Sequence, residues 1–312
     1  MSPAANPAGN EVHVDVEGRT LRITSLDKVL YPRTGTTKGE VLNYYASVSG
    51  VLLPHLRDRA VTRIRWPHGV EGNSFFEKNA PSGTPSWVRT ATVPTTGSRS
   101  WRGGGEPAGD TIRFPICDDL ATLTWLVNLA ALELHVHQWQ VTKAGKPRHP
   151  DRLVIDLDPG EPAGLHECCQ VALKVRDSLT EHGLTCSPVT SGSKGLHLYA
   201  ALPRKRDSDG TTALAKEIAE DLQKADPGAI TAAMTKAKRS GKVFLDWSQN
   251  SGSKTTISPY SLRGRERPTV ATPITWDEVE QGAEDPLGLE QFRFEEVIER
   301  IQDHGDLFDS RV

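Results

Sequence analysis

The stretch Leu153-Val-Ile-Asp-Leu-Asp-Pro-Gly160 predicts a β-strand that ends in two acidic side chains. In a strand, residues two apart project from the same face, so Asp156 and Asp158 point together while Leu157 faces the core. The Pro-Gly pair then ends the strand. Two neighbouring carboxylates repel each other unless protons or cations compensate, and hard divalent cations prefer oxygen ligands. A solvated strand end has the same spacing, so the motif alone leaves both interpretations open.

A second stretch, Thr190-Ser-Gly-Ser-Lys-Gly-Leu-His-Leu-Tyr199, joins two apolar segments through small, flexible residues. Its glycines allow the backbone to approach a ligand closely, and Ser191 and Lys194 offer hydrogen-bond donors to an anion such as phosphate. A plain turn is the ordinary alternative. Carboxylates for a metal beside donors for a phosphate together indicate phosphoryl or nucleotidyl transfer.

Around these two stretches, hydrophobic periodicity predicts a strand, a helix, two strands, a helix and a strand in succession, the order of a ferredoxin-like or RRM-like unit. In the last strand, Asp246 lies on the face opposite to Val243 and Leu245. A lone acid in the middle of a strand requires a reason. The predicted segments are 153–160, 164–182, 185–189, 196–202, 211–225 and 242–247.

The first half of the chain predicts a separate set of elements, and Lys38 directly precedes the first of its helices. A helix N-terminus with Lys38 and Lys28 nearby suits an anion. Ordinary surface lysines on a capped helix are the simpler interpretation. The predicted segments are a hairpin over 11–23, a helix over 39–53, a strand over 61–67, a helix over 118–134 and a C-terminal helix over 289–301.

Aromatic residues and histidines mark two further positions in this half. Phe75 and Phe76, beside basic residues, suit the stacking of a nucleic-acid base, although two core aromatics are an equally good interpretation. His135 and His137 alternate on a predicted strand, where we expect structural or substrate-contacting roles rather than zinc binding. A glycine-rich loop over 94–110 carries Trp101.

Composition bounds the class of protein. The 312 residues are 37% hydrophobic with a mean hydropathy of -0.45, and no apolar run reaches the length that spans a bilayer, about 20 residues. The net charge of -3 gives no general sign of nucleic-acid binding, which must come from local patches. The four cysteines form no Cys-x-x-Cys pair, so we expect no structural zinc and a reducing, cytoplasmic protein without a membrane.

Taken together, these motifs resemble the primase-polymerases of the archaeo-eukaryotic primase superfamily, and above all the polymerase domain of bacterial ligase D and its stand-alone relatives. The resemblance covers about residues 20–305 in the order of the family. It rests on Lys28-Val-Leu-Tyr-Pro, Gly35-Thr-Thr-Lys38, Arg65-Trp-Pro, Phe75-Phe-Glu-Lys78, Glu133-Leu-His-Val, Asp156-Leu-Asp-Pro-Gly160, Ser191-Gly-Ser-Lys-Gly-Leu-His-Leu-Tyr199, Val243-Phe-Leu-Asp-Trp-Ser-Gln-Asn250 and Thr255-Thr-Ile-Ser-Pro-Tyr-Ser-Leu-Arg-Gly-Arg265.

The fold that the resemblance implies is of the α+β class, with an RRM-like antiparallel catalytic sheet fused to an N-terminal α/β module. Residues 1–18 are then a flexible N-terminus and residues 19–312 a single catalytic domain. Within it we expect an N-terminal module over about 19–150, the RRM-like module over about 151–270 and a C-terminal helical tail over about 271–312.

The activity that the resemblance implies is a metal-dependent nucleotidyltransferase, a DNA/RNA polymerase that fills short gaps or ends in end joining. Asp156 and Asp158 are expected to bridge two Mn²⁺ or Mg²⁺ ions, with Asp246 holding the ion that activates the primer 3′-hydroxyl. The side chains expected to contact the incoming nucleoside triphosphate are those of His135, Ser191, Lys194, Gln249 and Arg263.

The resemblance also implies a DNA partner with a gap or end that carries a 5′-phosphate, together with Ku and a DNA ligase. Lys28 and Lys38 are expected to bind that phosphate, and Phe75 or Phe76 to stack on the template. Two positions depart from the family, since Ile64 stands where a basic residue is usual and Ser25 where asparagine is frequent. A catalytically weak DNA-end-binding module that recruits a ligase, and a two-metal phosphohydrolase, are the competing interpretations.

Overall fold

The computed structural model describes residues 11–94 and 111–308, which form an α+β structure built on two sheets. Its strands are β1 (Glu11–Val16), β2 (Arg19–Thr24), β3 (Val29–Tyr31), β4 (Thr36–Thr37), β5 (Val61–Arg65), β6 (Phe75–Glu77), β7 (Thr90–Pro94), β8 (Thr111–Pro115), β9 (Ala131–Val136), β10 (Arg152–Pro159), β11 (Cys186–Thr190), β12 (Leu196–Ala201), β13 (Ile230–Thr231), β14 (Val243–Asp246) and β15 (Thr256–Ile257). Its α-helices are α1 (Lys38–Ser47), α2 (Ser49–Leu56), α3 (Leu120–Asn128), α4 (Leu165–Glu181), α5 (Ser208–Ala225), α6 (Trp276–Glu284) and α7 (Phe294–His304).

The first sheet has five strands in the order β11-β12-β10-β14-β13. Its four long strands pair antiparallel, and only the short β13 runs parallel to its neighbour β14. With α4 and α5 as crossovers, this is the βαββαβ arrangement of a ferredoxin-like unit, which places β10 at the centre. The RRM-like antiparallel sheet that the resemblance implies is therefore confirmed.

The two faces of this sheet differ because its strands alternate. Leu153, Ile155 and Leu157 of β10 lie in a fully buried apolar cluster with residues of α4 and α5. Since alternate residues point the other way, Asp156 and Asp158 project from the opposite face, as the sequence predicts. That face carries a second, smaller buried cluster at one end and the acidic side chains at the other.

The second sheet has four strands in the order β15-β9-β5-β6 and packs with α1, α2, α3 and α7 around its own core. Strand β15 follows β14 in the sequence, but it pairs with β9 of the second sheet. The segment between β14 and β15 therefore connects the two sheets. Tyr31 and Tyr44, both fully buried, donate their hydroxyls at 2.8 Å to the backbone oxygens of Arg263 and Tyr260. These bonds tie the N-terminal elements to the segment after β15.

Several predicted boundaries are wrong. The helix predicted over 39–53 is two helices that meet at Val48, where Gly50 and Pro54 weaken the hydrogen bonding of the second. The helix predicted over 118–134 stops at Asn128, because Ala130 adopts a left-handed conformation at φ 61° and β9 follows.

Both ends of the chain show further differences. The predicted C-terminal helix over 289–301 is α7, which begins at Phe294, and the sequence reading missed α6 before it. The predicted hairpin over 11–23 is present as β1 and β2, so β1 already begins at Glu11 within the stretch assigned to a flexible N-terminus. Residues 1–10 and all of the predicted glycine-rich loop except Pro94 lie outside the described residues.

Candidate active site

Two of the three predicted acids face each other across neighbouring strands. Asp156 of β10 and Asp246 of β14 are direct register partners, 8% and 9% exposed. The amide nitrogen of Gln249 lies between them, 3.3 Å from Asp156 Oδ2 and 3.1 Å from Asp246 Oδ2. Asp158 lies two residues beyond Asp156 on the same face. The structure thus brings the three acids to one region of the sheet.

A short 3₁₀ turn after β14 places Gln249 over the two carboxylates. Asp246 ends the strand and caps this turn, Trp247–Asn250, by accepting a hydrogen bond from the Ser248 backbone N–H at 3.0 Å. Asn250 then locks the turn onto β10, since its side chain bonds both the N–H and the C=O of Val154 at 2.8 and 2.7 Å. The predicted strand over 242–247 is therefore one residue too long at each end, with Trp247 in the turn.

Nearby protein groups offset the charges of the acids only in part, with Lys254 Nζ 3.9 Å from Asp246 Oδ2. Asp158 is exposed at the surface, but desolvation by the surrounding protein, with the charge of Asp156, raises the pKa of Asp158 to about 6. On the other neighbouring strand, His197 is the register partner of Asp156, and its Nε2 lies 3.3 Å from Asp156 Oδ1. Its Nδ1 is buried and has no hydrogen-bond partner among the described residues.

These oxygens suit hard divalent cations, which take carboxylate ligands. Within residues 11–94 and 111–308, no group of three or more His, Cys, Asp and Glu side chains is arranged to hold a metal ion. The donor set still fits such an ion, because Asp156 and Asp246 face each other and Asp158 carries an unfavourable charge beside them. A cation that replaces the amide of Gln249 between Asp156 and Asp246 would neutralise the repulsion.

The loop between β11 and β12 lies beside the acids. The buried hydroxyl of Ser191 accepts hydrogen bonds from the backbone N–H groups of Ser193 and Gly195 at 3.2 and 3.1 Å, which shapes the loop. Gly192 has a left-handed φ of 66°, and a Cβ on Gly195 would lie 1.9 Å from the oxygen of Leu157. Both glycines are therefore required for this close approach. Lys194 is exposed at the edge of the loop and pairs with Glu161 at 2.9 Å.

The opposite wall is a set of basic groups on β9 and the segment after β15. His135 Nε2 donates to Glu133 Oε2 at 2.7 Å, and Arg263 Nη1 lies 3.5 Å from the same oxygen. Burial raises the pKa of Glu133, but His135, Arg263 and the Gly264 N–H outweigh this and lower it to about 2. Glu133 is therefore a buried carboxylate that holds two basic side chains.

A cavity of about 980 Å³ joins these parts. Seven of the eight side chains predicted for metal and nucleotide line it, namely His135, Asp156, Asp158, Ser191, Lys194, Gln249 and Arg263. Asp246 is not part of the lining and lies behind Gln249. The cavity is also basic at its rim, where Arg239, Arg265 and Arg267 contribute.

Lys28 and Lys38 lie apart from this cavity, close to each other at the start of α1. Lys38 is buried, and its Nζ donates to two neutral oxygens, Thr24 O at 2.6 Å and Asn128 Oδ1 at 2.7 Å. Burial and the charge of Lys28 lower the pKa of Lys38 to about 8. Thr37 and Glu40 form a capping box at the same helix terminus, so the charge of the two lysines, rather than free helix N–H groups, would attract an anion to this place.

Phe75 and Phe76 lie on the edge strand β6, and both are exposed, at 48% and 59%. Their interpretation as core aromatics is therefore wrong. The Nζ of Lys78 lies 5.9 Å from the centre of the Phe76 ring, which places a charge and an apolar surface side by side on the exterior.

Sequence reasoning missed several residues of the site. Glu133 was quoted only as part of a motif, although a strand places it on the same face as His135, which was a usable signal. His197 could have been inferred as a neighbour of the acids only with the strand order in hand. Arg239 reaches the cavity from a 3₁₀ turn that no periodicity predicted.

A central strand with facing acids, a glycine-serine-lysine loop and a basic cavity wall together characterise a nucleotidyltransferase of the primase-polymerase type. The family model described as "LigD, primase-polymerase domain" matches residues 37–308. The chain belongs to this LigD primase-polymerase domain family.

The sequences of individual relatives agree with this family assignment. The chain is 47% identical over 287 residues to the multifunctional non-homologous end joining protein LigD of Mycolicibacterium smegmatis, which covers 92% of this chain and 35% of that protein. Identity to the bifunctional non-homologous end joining protein LigD of Bacillus subtilis is 37% over 286 residues, covering 91% of this chain and 43% of that protein. The chain thus spans about a third of the length of the mycobacterial relative.

A solved structure shows the same fold. The polymerase domain from Mycobacterium tuberculosis ligase D in complex with DNA superposes with a TM-score of 0.83 at 48% identity, covering 91% of this chain and 95% of that chain. In the described part of this chain, no helix combines the length and apolar character that crossing a bilayer requires.

Proposed function

We propose that this chain adds nucleotides to a primer 3′-hydroxyl at gaps or ends of DNA whose far side carries a 5′-phosphate. The observation that carries the proposal is the direct pairing of Asp156 with Asp246 beside Asp158, under a cavity lined by Ser191, Lys194 and Arg263. Membership of the LigD primase-polymerase family and the similarity to a polymerase domain in complex with DNA support it.

In this proposal the carboxylates of Asp156, Asp158 and Asp246 would hold divalent cations, two Mn²⁺ or Mg²⁺ ions. Asp156 and Asp158 would serve both ions, and Asp246 would serve the one that activates the primer 3′-hydroxyl. When bound, the two ions stabilise the attacking 3′-oxygen and the leaving pyrophosphate of an in-line displacement. Gln249, which now bridges Asp156 and Asp246, becomes free to contact the nucleotide.

The cavity wall holds the triphosphate. Arg263 and Lys194 supply positive charge to the β- and γ-phosphates, with His135 and Ser191 beside them, and this stabilisation grows as pyrophosphate leaves. Lys194 must leave Glu161 to reach the nucleotide. Because both side chains are exposed and screened by solvent, the pair contributes little, so exchanging it for a phosphate costs little.

The N-terminal module holds the DNA beyond the gap. Lys28 and Lys38 bind the 5′-phosphate, because the Lys38 ammonium is bonded to neutral oxygens only and Lys28 adds a second positive charge beside it, and together they attract a dianion. Phe76, with Phe75, stacks on the template base at the gap, since an exposed aromatic ring on an edge strand has no packing role that explains it. Ile64, which stands where a basic residue is usual, is the register partner of Phe76. In this proposal it places an apolar side chain beside Phe76 and does not add a third positive charge to those of Lys28 and Lys38.

The reaction belongs, in this proposal, to non-homologous end joining on nucleoid DNA, with Ku and a DNA ligase as partners. This rests on the relatives being named as non-homologous end joining proteins, and those relatives are two to three times longer than this chain. A DNA-end-binding module that only recruits a ligase is not favoured, because such a module needs neither the three acids nor the basic cavity.

Primer extension on a gapped duplex tests the proposal. Ribo- and deoxynucleoside triphosphates are supplied in parallel with Mn²⁺ or Mg²⁺, and the downstream strand carries either a 5′-phosphate or a 5′-hydroxyl. We expect templated, metal-dependent extension that is faster with the 5′-phosphate. DNA binding without extension under every condition would contradict a polymerase and favour the end-binding alternative.

A further inference from the structure

Glu133 occupies a place that the proposed reaction does not explain by itself. It is 4% exposed and does not line the cavity, but it lies directly behind two side chains that do. We propose that Glu133 is a positioning residue that holds His135 and Arg263 in the orientation that receives the triphosphate. The inference deepens the proposed function, because it rests on nucleotide contacts by these two residues.

Glu133 uses both of its carboxylate oxygens on this wall. Oε2 accepts from His135 Nε2 at 2.7 Å and lies 3.5 Å from Arg263 Nη1. Oε1 accepts the backbone N–H of Gly264 at 2.9 Å. The residue therefore fixes the Arg263 side chain and the backbone that follows it at the same time.

The backbone of Arg263 is also held from the other side. The buried hydroxyl of Tyr31 donates to its carbonyl oxygen at 2.8 Å. Tyr31 and Glu133 thus hold the main chain on both sides of this carbonyl, and the ion pair of Nη1 with Glu133 anchors the guanidinium. Its Nε is buried without a hydrogen-bond partner among the described residues.

The same contact orients His135. Because Nε2 is committed to Glu133, Nδ1 is the ring nitrogen that remains to meet the nucleotide. Two basic groups that face one cavity also repel each other, and a buried carboxylate between them offsets that repulsion. The low pKa of Glu133, about 2, agrees with a carboxylate that stays ionised in this role.

The test compares nucleotide KM and kcat on a gapped duplex at saturating DNA. Glu133→Gln keeps the shape of the side chain and removes its charge, and we expect KM for the nucleoside triphosphate to rise roughly tenfold or more, with a much smaller change in kcat. Glu278→Gln is the matched control. It breaks another partly buried Glu–Arg pair, with Arg300, in α6 away from the cavity, so KM should stay within about twofold.

A variant cycle separates positioning from a general loss of structure. If Glu133 acts through the two basic residues, Glu133→Gln adds no further rise in KM to a protein that already carries His135→Ala and Arg263→Ala. Glu133→Asp, which keeps the charge but shortens the reach, should give an intermediate KM. If the melting temperature of Glu133→Gln is strongly lowered, Glu133→Asp is used in its place.

The outcomes distinguish this inference from the proposed function. If Arg263→Ala raises KM but Glu133→Gln leaves it within twofold, or multiplies it further in the double-alanine background, the positioning role is wrong and the nucleotide contacts stand. If neither Arg263→Ala nor His135→Ala changes KM, the proposed contacts and the positioning role fail together.

Discussion

Asp156 and Asp246 are separated by 90 residues in the sequence but stand directly opposite each other on the central strands β10 and β14. In an antiparallel pair, opposed side chains are about 5 Å apart at Cβ, and like charges at this distance are destabilising. The amide of Gln249 bridges both carboxylates, and the 3₁₀ turn that carries it is locked onto β10 by Asn250. The fold therefore maintains an acidic pair whose repulsion a divalent cation would offset, as the proposed function requires.

The first prediction concerns pH and metal binding. The pKa of Asp158 is raised to about 6, compared with about 3.9 in an unfolded chain. Its protonated form is favoured in the folded metal-free protein, so the stability it contributes is complete below pH about 3.9 and is lost as the pH rises through about 6. A cation must displace that proton, so Mn²⁺ affinity should be about tenfold lower at pH 5 than at pH 7.5.

Calorimetric titration of the metal-free protein with Mn²⁺, without DNA or nucleotide, measures this. Asp158→Asn should bind Mn²⁺ more weakly and lose most of the pH dependence between pH 5 and 7.5. The role of Asp158 would be contradicted if the wild-type Mn²⁺ affinity did not change between pH 5 and 7.5, or if Asp158→Asn kept the same pH dependence as the wild type.

The second prediction concerns the 5′-phosphate. Lys28→Ala and Lys38→Met should each reduce the preference for a 5′-phosphate over a 5′-hydroxyl gap by about tenfold, since each removes a charge-assisted hydrogen bond. Each should also reduce the slope of log affinity against log salt concentration, measured on the phosphorylated duplex, by about one. Lys224→Ala, at an exposed lysine of α5, is the control and should leave the preference unchanged. Equal weakening on both duplexes would show that the lysines contact DNA elsewhere.

The third prediction concerns template stacking. Phe76→Ala should weaken binding to a gapped duplex by about 1–3 kcal/mol, the usual contribution of one base stacked on an aromatic ring. Because the ring is 59% exposed, the melting temperature should hardly change. Leu287→Ala, at an apolar residue that is 82% exposed elsewhere, should affect neither quantity. Fluorescence anisotropy with labelled DNA gives the affinities, and a melting temperature lowered by many degrees would instead indicate a packing role for Phe76.

Much of the site could be predicted because strand alternation is local. The spacing of Asp156 and Asp158 determined their common face. The glycines around Lys194 predicted a loop whose backbone comes close to another part of the chain, and a Cβ at Gly195 would indeed lie only 1.9 Å from the oxygen of Leu157. The pairing of Asp156 with Asp246 and His197 depends on strand order, which periodicity does not determine. The grouping of Asp246 with the other two acids came from the family resemblance, as did the proposed roles of Lys28, Lys38 and Phe76, whereas His197 was not anticipated.

Other features could not be predicted for physical reasons. The end of α3 depends on a left-handed alanine at position 130, where sequence rules look for glycine. Glu133 was overlooked because its function lies in contacts with Arg263 and Gly264, some 130 residues away. The burial of Lys38 depends on Asn128 and Thr24, which only the tertiary structure brings to its ammonium.

Primer extension by Asp246→Asn is the most direct test of the central claim that three distant acids form one nucleotidyl-transfer site. The substitution preserves shape and removes one charge, and Asp303→Asn, at an exposed acid of α7, serves as the control. On a gapped duplex with a 5′-phosphate, Mn²⁺ and nucleoside triphosphates, we expect the variant to lose at least about 100-fold in rate while its DNA affinity stays within about twofold. Extension at close to the wild-type rate would show that Asp246 takes no part in the reaction and would contradict the proposed site.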